Sequence, residues 1–308
     1  MYLHNDRNQF KDLLEQVANN SSRPLAVIEK DYYVTLILRL LSQKLSNCVF
    51  KGGTSLSKGF HVINRFSEDI DITFDEHIGE SRRAKLKNVV VKGIGEELKM
   101  SISNWEKTQS DRDLNAYLFS YDSVIKYDDD RMLQNVKLET ALGSYAFPTV
   151  VITIDNFIGN YLKGIGKESL AKQYSLDDFQ MKIQSLERTY IDKIFALCDY
   201  YINGRVKRNS RHLYDIYKLT PFIKFDDSFS KLYEEVRKQR AKMEICPSAQ
   251  PRVDVSKLIT EFCDNGFYEE DYRIITDYFI DDAVSYEDVI NQMRDVAKLR
   301  FISVNSNK

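Results

Sequence analysis

Cysteine, glycine and proline are scarce in this sequence, and each scarcity excludes a class of protein. The 308 residues include four cysteines, Cys48, Cys198, Cys246 and Cys263, which form no Cys-x-x-Cys pair and no cluster with histidine. This spacing argues against a structural zinc site and predicts free thiols in a reducing compartment. With only 12 glycines and 5 prolines, the chain is neither collagen-like nor a low-complexity linker.

Long hydrophobic runs are also lacking. No stretch of about 18 apolar residues occurs, so no membrane-spanning helix is predicted. Residues 1–6 lack a basic region followed by an apolar one, so they do not resemble a secretory signal. The hydrophobic fraction of 43% and the charged fraction of 29% are ordinary for a globular protein. We therefore expect a cytoplasmic monomer without a membrane partner.

The net charge of −2 conceals two oppositely charged regions. Residues 205–242 contain eleven Lys or Arg and five Asp or Glu, a net charge of +6. Residues 254–288 contain two Lys or Arg and eleven Asp or Glu, a net charge of −9. The basic region is either a solvated helix face or a surface that binds a polyanion. The acidic region is expected to solvate a surface or to meet a basic partner.

The spacing of apolar residues predicts an α/β first half and a helical second half. Helical spacing is found at 6–19, 24–46, 54–61, 80–103, 187–203, 208–220, 228–243, 254–265 and 285–298. Strand patterns are found at Cys48–Lys51, Asp69–Phe74, Ala116–Tyr121, Leu133–Leu142 and Thr149–Ile154, and they nearly stop after Asn156. We predict an α+β fold of about two domains, divided at 1–155 and 156–308.

A short strand that ends in two glycines precedes one of these helices. The N–H groups at the start of a helix lack partners, and Gly52 and Gly53 would let a phosphate approach them closely. Thr54 and Ser55 add hydroxyl donors, and Lys58 adds a positive charge. The stretch is therefore a candidate phosphate-binding turn, although two glycines before a helix are by themselves typical of a plain turn.

Two aspartates follow 16 residues after Gly53. Asp69 and Asp71 alternate with apolar residues, so they lie on one face of a strand, about 6–7 Å apart along it. Paired carboxylates suit a hard divalent cation such as Mg²⁺. Phosphate-binding groups beside paired carboxylates predict metal-assisted phosphoryl or nucleotidyl transfer.

These motifs resemble a known family. The stretches Lys51–Lys58 (KGGTSLSK) and Arg65–Asp71 (RFSEDID) are similar to the signature of polymerase-beta-like nucleotidyltransferases, and in particular to its AbiEii/AbiGii toxin branch with the MenT-type toxins. Ile28–Val34 (IEKDYYV) resembles the helix before the first motif of that branch. Thr189–Leu197 and Arg211–Ile216 resemble its third and fourth motifs. The resemblance spans roughly residues 25–220, and nothing beyond it is identified.

The resemblance implies a role for each matching residue. A nucleoside triphosphate would bind over Gly52-Gly53 with help from Ser55, and Asp69 and Asp71 would bind Mg²⁺. Glu139 is the candidate third carboxylate that helps to activate the attacking hydroxyl, or else it pairs with Lys137.

The helical half would complete the active site. Lys193 would reach the triphosphate as a point charge. Asp215 would orient Lys193 or Arg211, bind the substrate, or form a surface i,i+4 pair with Arg211.

Members of this family resemble enzymes that add nucleotides to the 3′ end of tRNA and so block aminoacylation and growth, as toxins in phage defence. The resemblance implies a separately encoded antitoxin that need not form a stable complex. Arg205, Lys207, Arg208 and Arg211 are candidate RNA ligands beside the predicted active-site helix. Phosphorylation of Ser67, two residues before Asp69, would place negative charge beside the metal ligands and is expected to silence the enzyme.

Two alternatives remain open at this stage. The same chemistry could act on another acceptor, such as a small molecule or a protein hydroxyl, although the basic region favours RNA. The chain could also be a non-catalytic nucleotide- or RNA-binding module on a degenerate fold, which the intact Asp69 and Asp71 disfavour.

Overall fold

The computed structural model describes residues 1–65, 67–126, 134–276, 280, 282–299 and 302. Phe66 of the predicted motif and Leu133 of the predicted strand lie outside the described residues. The chain divides into two compact units, Met1–Phe60 with Ser67–Ile183 and His61–Phe66 with Gln184–Lys308. The first unit extends further than the predicted boundary after residue 155, because two helices and a sheet strand that follow this boundary belong to it.

The first unit is a mixed sheet flanked by helices. Its strands are β1 (Cys48–Lys51), β2 (Ile70–Phe74), β3 (Ser101–Ile102), β4 (Leu114–Ser120), β5 (Asn135–Ala141), β6 (Thr149–Ile154) and β7 (Phe179–Gln184). Its helices are α1 (Arg7–Ser21), α2 (Leu25–Lys44), α3 (Gly52–Lys58), α4 (Glu80–Lys85), α5 (Lys92–Leu98), α6 (Phe157–Gly164) and α7 (Glu168–Gln173). A π-helical segment, Leu86–Val91, joins α4 to α5. The α+β prediction is confirmed.

The sheet order is β3-β4-β5-β2-β1-β7-β6. β1 and β2 are antiparallel, whereas β2 pairs in parallel with β5 and β1 with β7. Strand β7 was not predicted, although Phe179, Met181 and Ile183 alternate with polar residues as a strand requires. The core strands β1 and β2 therefore have a paired neighbour on each side.

Helix α2 is buried around most of its circumference. Residues such as Ile28, Leu36 and Leu41 are inaccessible to solvent, and the helix packs against α1, α6 and β5. A helix that is apolar on nearly all sides is stable only inside a protein. In this structure α2 is the central helix of the first unit.

The second unit is helical. Its helices are α8 (Leu186–Ile202), α9 (Arg211–Leu219), α10 (Asp227–Arg240), α11 (Val255–Asp264), α12 (Glu269–Asp271) and α13 (Tyr286–Ala297). Buried aromatic residues, including Tyr190, Phe195, Tyr214 and Tyr233, form much of its core. In both units, the described helices include none that is long and apolar enough to cross a membrane.

Candidate functional site

The register of three strands positions the predicted carboxylates. Asp71 of β2 lies opposite Lys51 of β1 and opposite Glu139 of β5. Because β1 runs antiparallel to β2, the last residue of β1 lies beside the start of β2. The chain therefore enters the glycine turn directly next to Asp71.

Gly52 and Asp71 approach each other more closely than another residue type would allow. Gly52 has φ of +78°, a backbone conformation that residues with a side chain rarely adopt. A Cβ atom built on Gly52 would lie 2.1 Å from Asp71 Oδ2. The glycine is thus required twice, by its backbone angle and by the carboxylate that occupies the space of a side chain.

Four charged side chains share one face of β2 and β5. Lys137 and Glu139 are two residues apart on β5, so they lie on the same face of the sheet. Asp69, just before β2, and Asp71 are spaced in the same way, and Asp71 is the register partner of Glu139. Lys137 Nζ lies 2.9 Å from Asp69 Oδ2 and 3.0 Å from Glu139 Oε1. The predicted pairing of Glu139 with Lys137 is therefore present, and Lys137 also pairs with Asp69.

Burial and mutual repulsion change the acidity of this group. Burial raises the pKa of Asp71 to about 7, and the charge of Glu139 and a hydrogen bond with it act in the same direction. Burial lowers the pKa of Lys137, but the charges of Asp69 and Glu139 outweigh this effect and leave the pKa above its usual value. The charge of Lys51 opposes the shift of Asp71 only in part, so the three acids form a group that favours a cation.

The donor chemistry of these residues suits Mg²⁺, since all three acids offer hard carboxylate oxygens. In the described part of the chain, however, no three His, Cys, Asp or Glu side chains stand together as a ready metal cluster. Asp71 adjoins Glu139, whereas Asp69 is linked to Glu139 through the ammonium of Lys137. The residues fit the predicted metal, and a lysine lies between two of them.

The hydroxyls of α3 bind protein groups. Thr54 Oγ1 donates to the carbonyl of Asp69 at 2.5 Å and lies 2.8 Å from Ser67 Oγ. Because a hydroxyl has one hydrogen to donate, Ser67 is the donor to Thr54. Ser55 Oγ donates to the carbonyl of Gly52 at 2.9 Å. Thr54 and Ser55 are fully buried, so they hold the turn and the start of β2 in place.

Lys58, predicted to bind phosphate, pairs instead with Asp31. Its Nζ lies 2.5 Å from Asp31 Oδ1, and Asp31 Oδ2 accepts the N–H of Phe157 at 3.0 Å. Lys58 is almost fully buried. Lys30, which precedes Asp31 in the chain, is also buried and forms an ion pair with Glu68. Lys30 and Asp31 thus connect α2 to Glu68, next to Asp69, and to Lys58 at the end of α3.

The predicted residues of the second unit form a buried cluster around Asp215. Arg65 donates to both carboxylate oxygens of Asp215, at 2.6 and 2.8 Å, and Lys193 Nζ lies 2.5 Å from Oδ2. His212 Nδ1 lies 3.4 Å from Lys193 Nζ. Asp215 thus contacts Lys193, one of its two predicted partners, and also Arg65, which was not predicted. Arg65 is 150 residues away in sequence, and no spacing rule connects the two.

The cluster carries more positive than negative charge. Burial lowers the pKa of Lys193, and the charge of Asp215 only partly opposes this effect. Burial also holds the pKa of His212 well below its usual value, so that the imidazole is neutral. Burial would raise the pKa of Asp215, but Arg65 and Lys193 outweigh it and keep the pKa below its usual range. Arg211 lies near enough to lower the pKa of Lys193 further.

The candidate RNA ligands occupy two environments. Arg205, Lys207 and Arg208 are exposed in the turn between α8 and α9, where a helix had been predicted from residue 208. The N–H of Arg208 donates to Asp271 at 2.8 Å, which fixes this turn. Arg211 is only half-exposed, and its buried Nε has no hydrogen-bond partner among the described residues.

The contact of Gly52 with Asp71 leads to a first prediction. In Gly52→Ala, the positive φ costs about 1–2 kcal/mol and the new Cβ displaces the Asp71 carboxylate. We expect a lower urea midpoint and a loss of any activity that depends on Asp71. Gly93→Ala is the control, because a Cβ there meets nothing within 4 Å. Equal midpoints and activities for the two variants would contradict the assigned contact.

The Asp215 cluster leads to a second prediction. Asp215→Asn leaves Arg65 and Lys193 buried without their shared counter-charge, which typically costs about 3–5 kcal/mol. Urea unfolding of the full chain should show this loss. Asp295→Asn, which breaks an exposed pair with Lys298, should change stability by less than about 0.5 kcal/mol. A wild-type midpoint for Asp215→Asn would show that the cluster is not structurally important.

Comparisons with known proteins support the motifs quoted above. The family model of the nucleotidyl transferase AbiEii toxin of type IV toxin–antitoxin systems matches residues 36–296. Among solved structures, the chain is similar to MenT4, a nucleotidyltransferase toxin from Mycobacterium tuberculosis H37Rv. The TM-score is 0.52 and the identity 17%, over 96% of this chain and 90% of that one. No curated protein matches the chain.

The likeness to MenT4 establishes the fold, and the family model spans both the carboxylate strands and the Asp215 cluster. The earlier resemblance is therefore confirmed: the chain belongs to the AbiEii family of nucleotidyltransferase toxins of type IV toxin–antitoxin systems.

Proposed function

We propose that this nucleotidyltransferase transfers a nucleotide from a nucleoside triphosphate to the 3′ end of tRNA in a Mg²⁺-dependent reaction. The observation that carries the proposal is the close approach of Gly52 to the carboxylate of Asp71, which shares one face of the sheet with Asp69 and Glu139. Such a transfer would block aminoacylation and thus translation, which is consistent with a growth-inhibiting toxin and with a role in phage defence.

The metal site is assigned to Asp69 and Asp71. The raised pKa of Asp71, about 7, reflects burial and the proximity of Glu139, and a bound divalent cation would act in the opposite direction. When bound, Mg²⁺ would neutralise phosphate charge and polarise the acceptor hydroxyl. Glu139 is more exposed than Asp69, with 43% of its side chain accessible against 25%, and we assign it as the acceptor of the hydroxyl proton.

The proposed phosphate ligands are backbone N–H groups in the first unit and basic side chains in the second. No side chain caps the first turn of α3 in the described structure, so the N–H groups at Gly52 and Gly53 are suited to phosphate. Thr54, Ser55 and Lys58 support this turn from inside the protein. In the second unit, the excess positive charge of Lys193 and Arg211 beside a single Asp215 is suited to phosphate as well.

The acceptor is assigned from charge. Arg205, Lys207 and Arg208 are exposed cations close together in one turn, and RNA binding through such residues weakens as salt displaces them from phosphate. A small-molecule acceptor would not need this charge. The type IV family also implies an antitoxin, which we propose is encoded nearby and acts without a stable complex.

A labelled-transfer assay tests the assignment. Asp69→Asn and Asp71→Asn should each reduce transfer from radiolabelled triphosphates to tRNA by roughly a hundredfold or more, since they remove metal ligands, and Lys193→Met should reduce it as well. Asp75→Asn is the matched control, because Asp75 follows β2 but pairs with Lys182. All four triphosphates should be tried, with and without EDTA.

The acceptor is tested in the same assay. Periodate-oxidised tRNA, which lacks an intact 3′ diol, should not be labelled. Equal labelling of intact and oxidised tRNA would contradict the 3′-end assignment. Full activity of the Asp69 and Asp71 variants would contradict transfer at this site altogether.

Ser67 is proposed as a control point of the same site. Its hydroxyl donates to Thr54, which in turn holds the carbonyl of Asp69. A phosphate on Ser67 would remove this hydrogen bond and add negative charge next to the carboxylates. Ser67→Asp should therefore lose most transfer activity while Ser67→Ala retains more. Wild-type turnover in Ser67→Asp would overturn the regulatory role.

A further inference from the structure

Lys137 occupies an unusual position for a strand lysine. Its ammonium lies within 3.0 Å of carboxylate oxygens from Asp69 and Glu139. Asp69 belongs to the motif at the start of β2, whereas Lys137 and Glu139 are two residues apart on β5. A single ammonium thus links Asp69, which is assigned to the metal, with Glu139, the proposed proton acceptor.

Lys137 pairs with Asp69, which is one of the two residues assigned to the metal, and with Glu139, which adjoins the other, Asp71. An ammonium is a compact monovalent charge that donates hydrogen bonds at about 2.9 Å, whereas Mg²⁺ binds oxygen at about 2.1 Å. The ammonium and the metal cannot both bind the Asp69 carboxylate at full strength, because two cations at such short range repel each other. The lysine and the metal therefore compete for this position.

The lysine has a route away from the carboxylates. About a third of its side chain, 32%, is exposed, and its flexible four-carbon stem allows the ammonium to move into solvent. Lys58 and Lys193 differ in this respect, since both are nearly fully buried. Lys137 is therefore suited to temporary rather than permanent pairing.

We propose that Lys137 is a resident counter-cation of the carboxylate site, which pairs Asp69 with Glu139 in the metal-free protein and is displaced when a divalent cation binds. The inference rests on the proposed metal role of Asp69 and Asp71. It makes Lys137 a positioning residue that keeps the acids from separating and lowers the affinity of the empty site for metal.

The test measures metal binding directly. Mn²⁺ is added to the full chain without nucleotide, and free Mn²⁺ is counted by electron paramagnetic resonance. Lys137→Met keeps the length of the side chain but removes its charge, and it should bind Mn²⁺ about tenfold more tightly than wild type. The melting temperature of the metal-free variant should fall and should recover more with Mn²⁺ than that of wild type.

A matched control separates this effect from the general loss of an ion pair. Lys182 pairs with Asp75 and has a similar exposure, 28% for the lysine and 30% for the aspartate. Lys182→Met should also lower the melting temperature, but its Mn²⁺ affinity should equal that of wild type. Asp69→Asn should weaken Mn²⁺ binding and so verify that the measured site is the carboxylate site.

The outcomes distinguish this inference from the function on which it rests. If Asp69→Asn weakens binding while Lys137→Met leaves it unchanged or weakens it too, Lys137 is not a competitor and the inference fails, although the metal site stands. If Asp69→Asn has no effect, or if neither wild type nor Lys137→Met binds Mn²⁺, the proposed metal site fails together with the inference.

Discussion

The close approach of Gly52 to the Asp71 carboxylate is the constraint on which the candidate site depends. It requires β1 to run antiparallel to β2, so that the end of one strand meets the start of the other. It also requires a residue without a side chain at φ of +78°. The hydrogen bond from Thr54 to the carbonyl of Asp69 then fixes the helix after the turn to the strand that carries the acids.

The two units contain charge clusters of opposite sign. In the first unit, Asp69, Asp71 and Glu139 gather negative charge that a single lysine, Lys137, bridges. In the second unit, Asp215 is one acid between Arg65 and Lys193, with Arg211 nearby. The Asp215 cluster is not the most stable choice for a protein interior, because buried charge is costly to desolvate.

The sequence predicted the parts of the site that depend on local patterns. Alternation along β2 located Asp69 and Asp71, and the glycine pair located the turn that meets them. The partners of several motif residues could not be predicted, because they are distant in sequence: Asp31 for Lys58, and Arg65 for Asp215. Strand β7 is the opposite case, because its local pattern was present but was not identified as a strand. Its apolar residues alternate with polar ones, but it is short and lies between helices.

The acidic residues of the motifs differ in their exposure to solvent. Glu29 is fully buried and accepts hydrogen bonds from Ser123 and the N–H of Val124, so it holds a loop rather than a substrate. Side chains of Asp69 and Glu139, in contrast, remain 25% and 43% accessible. A motif match alone gives both kinds of residue equal weight. Burial and hydrogen-bond partners indicate that Glu29 maintains the scaffold, whereas Asp69 and Glu139 remain accessible to solvent.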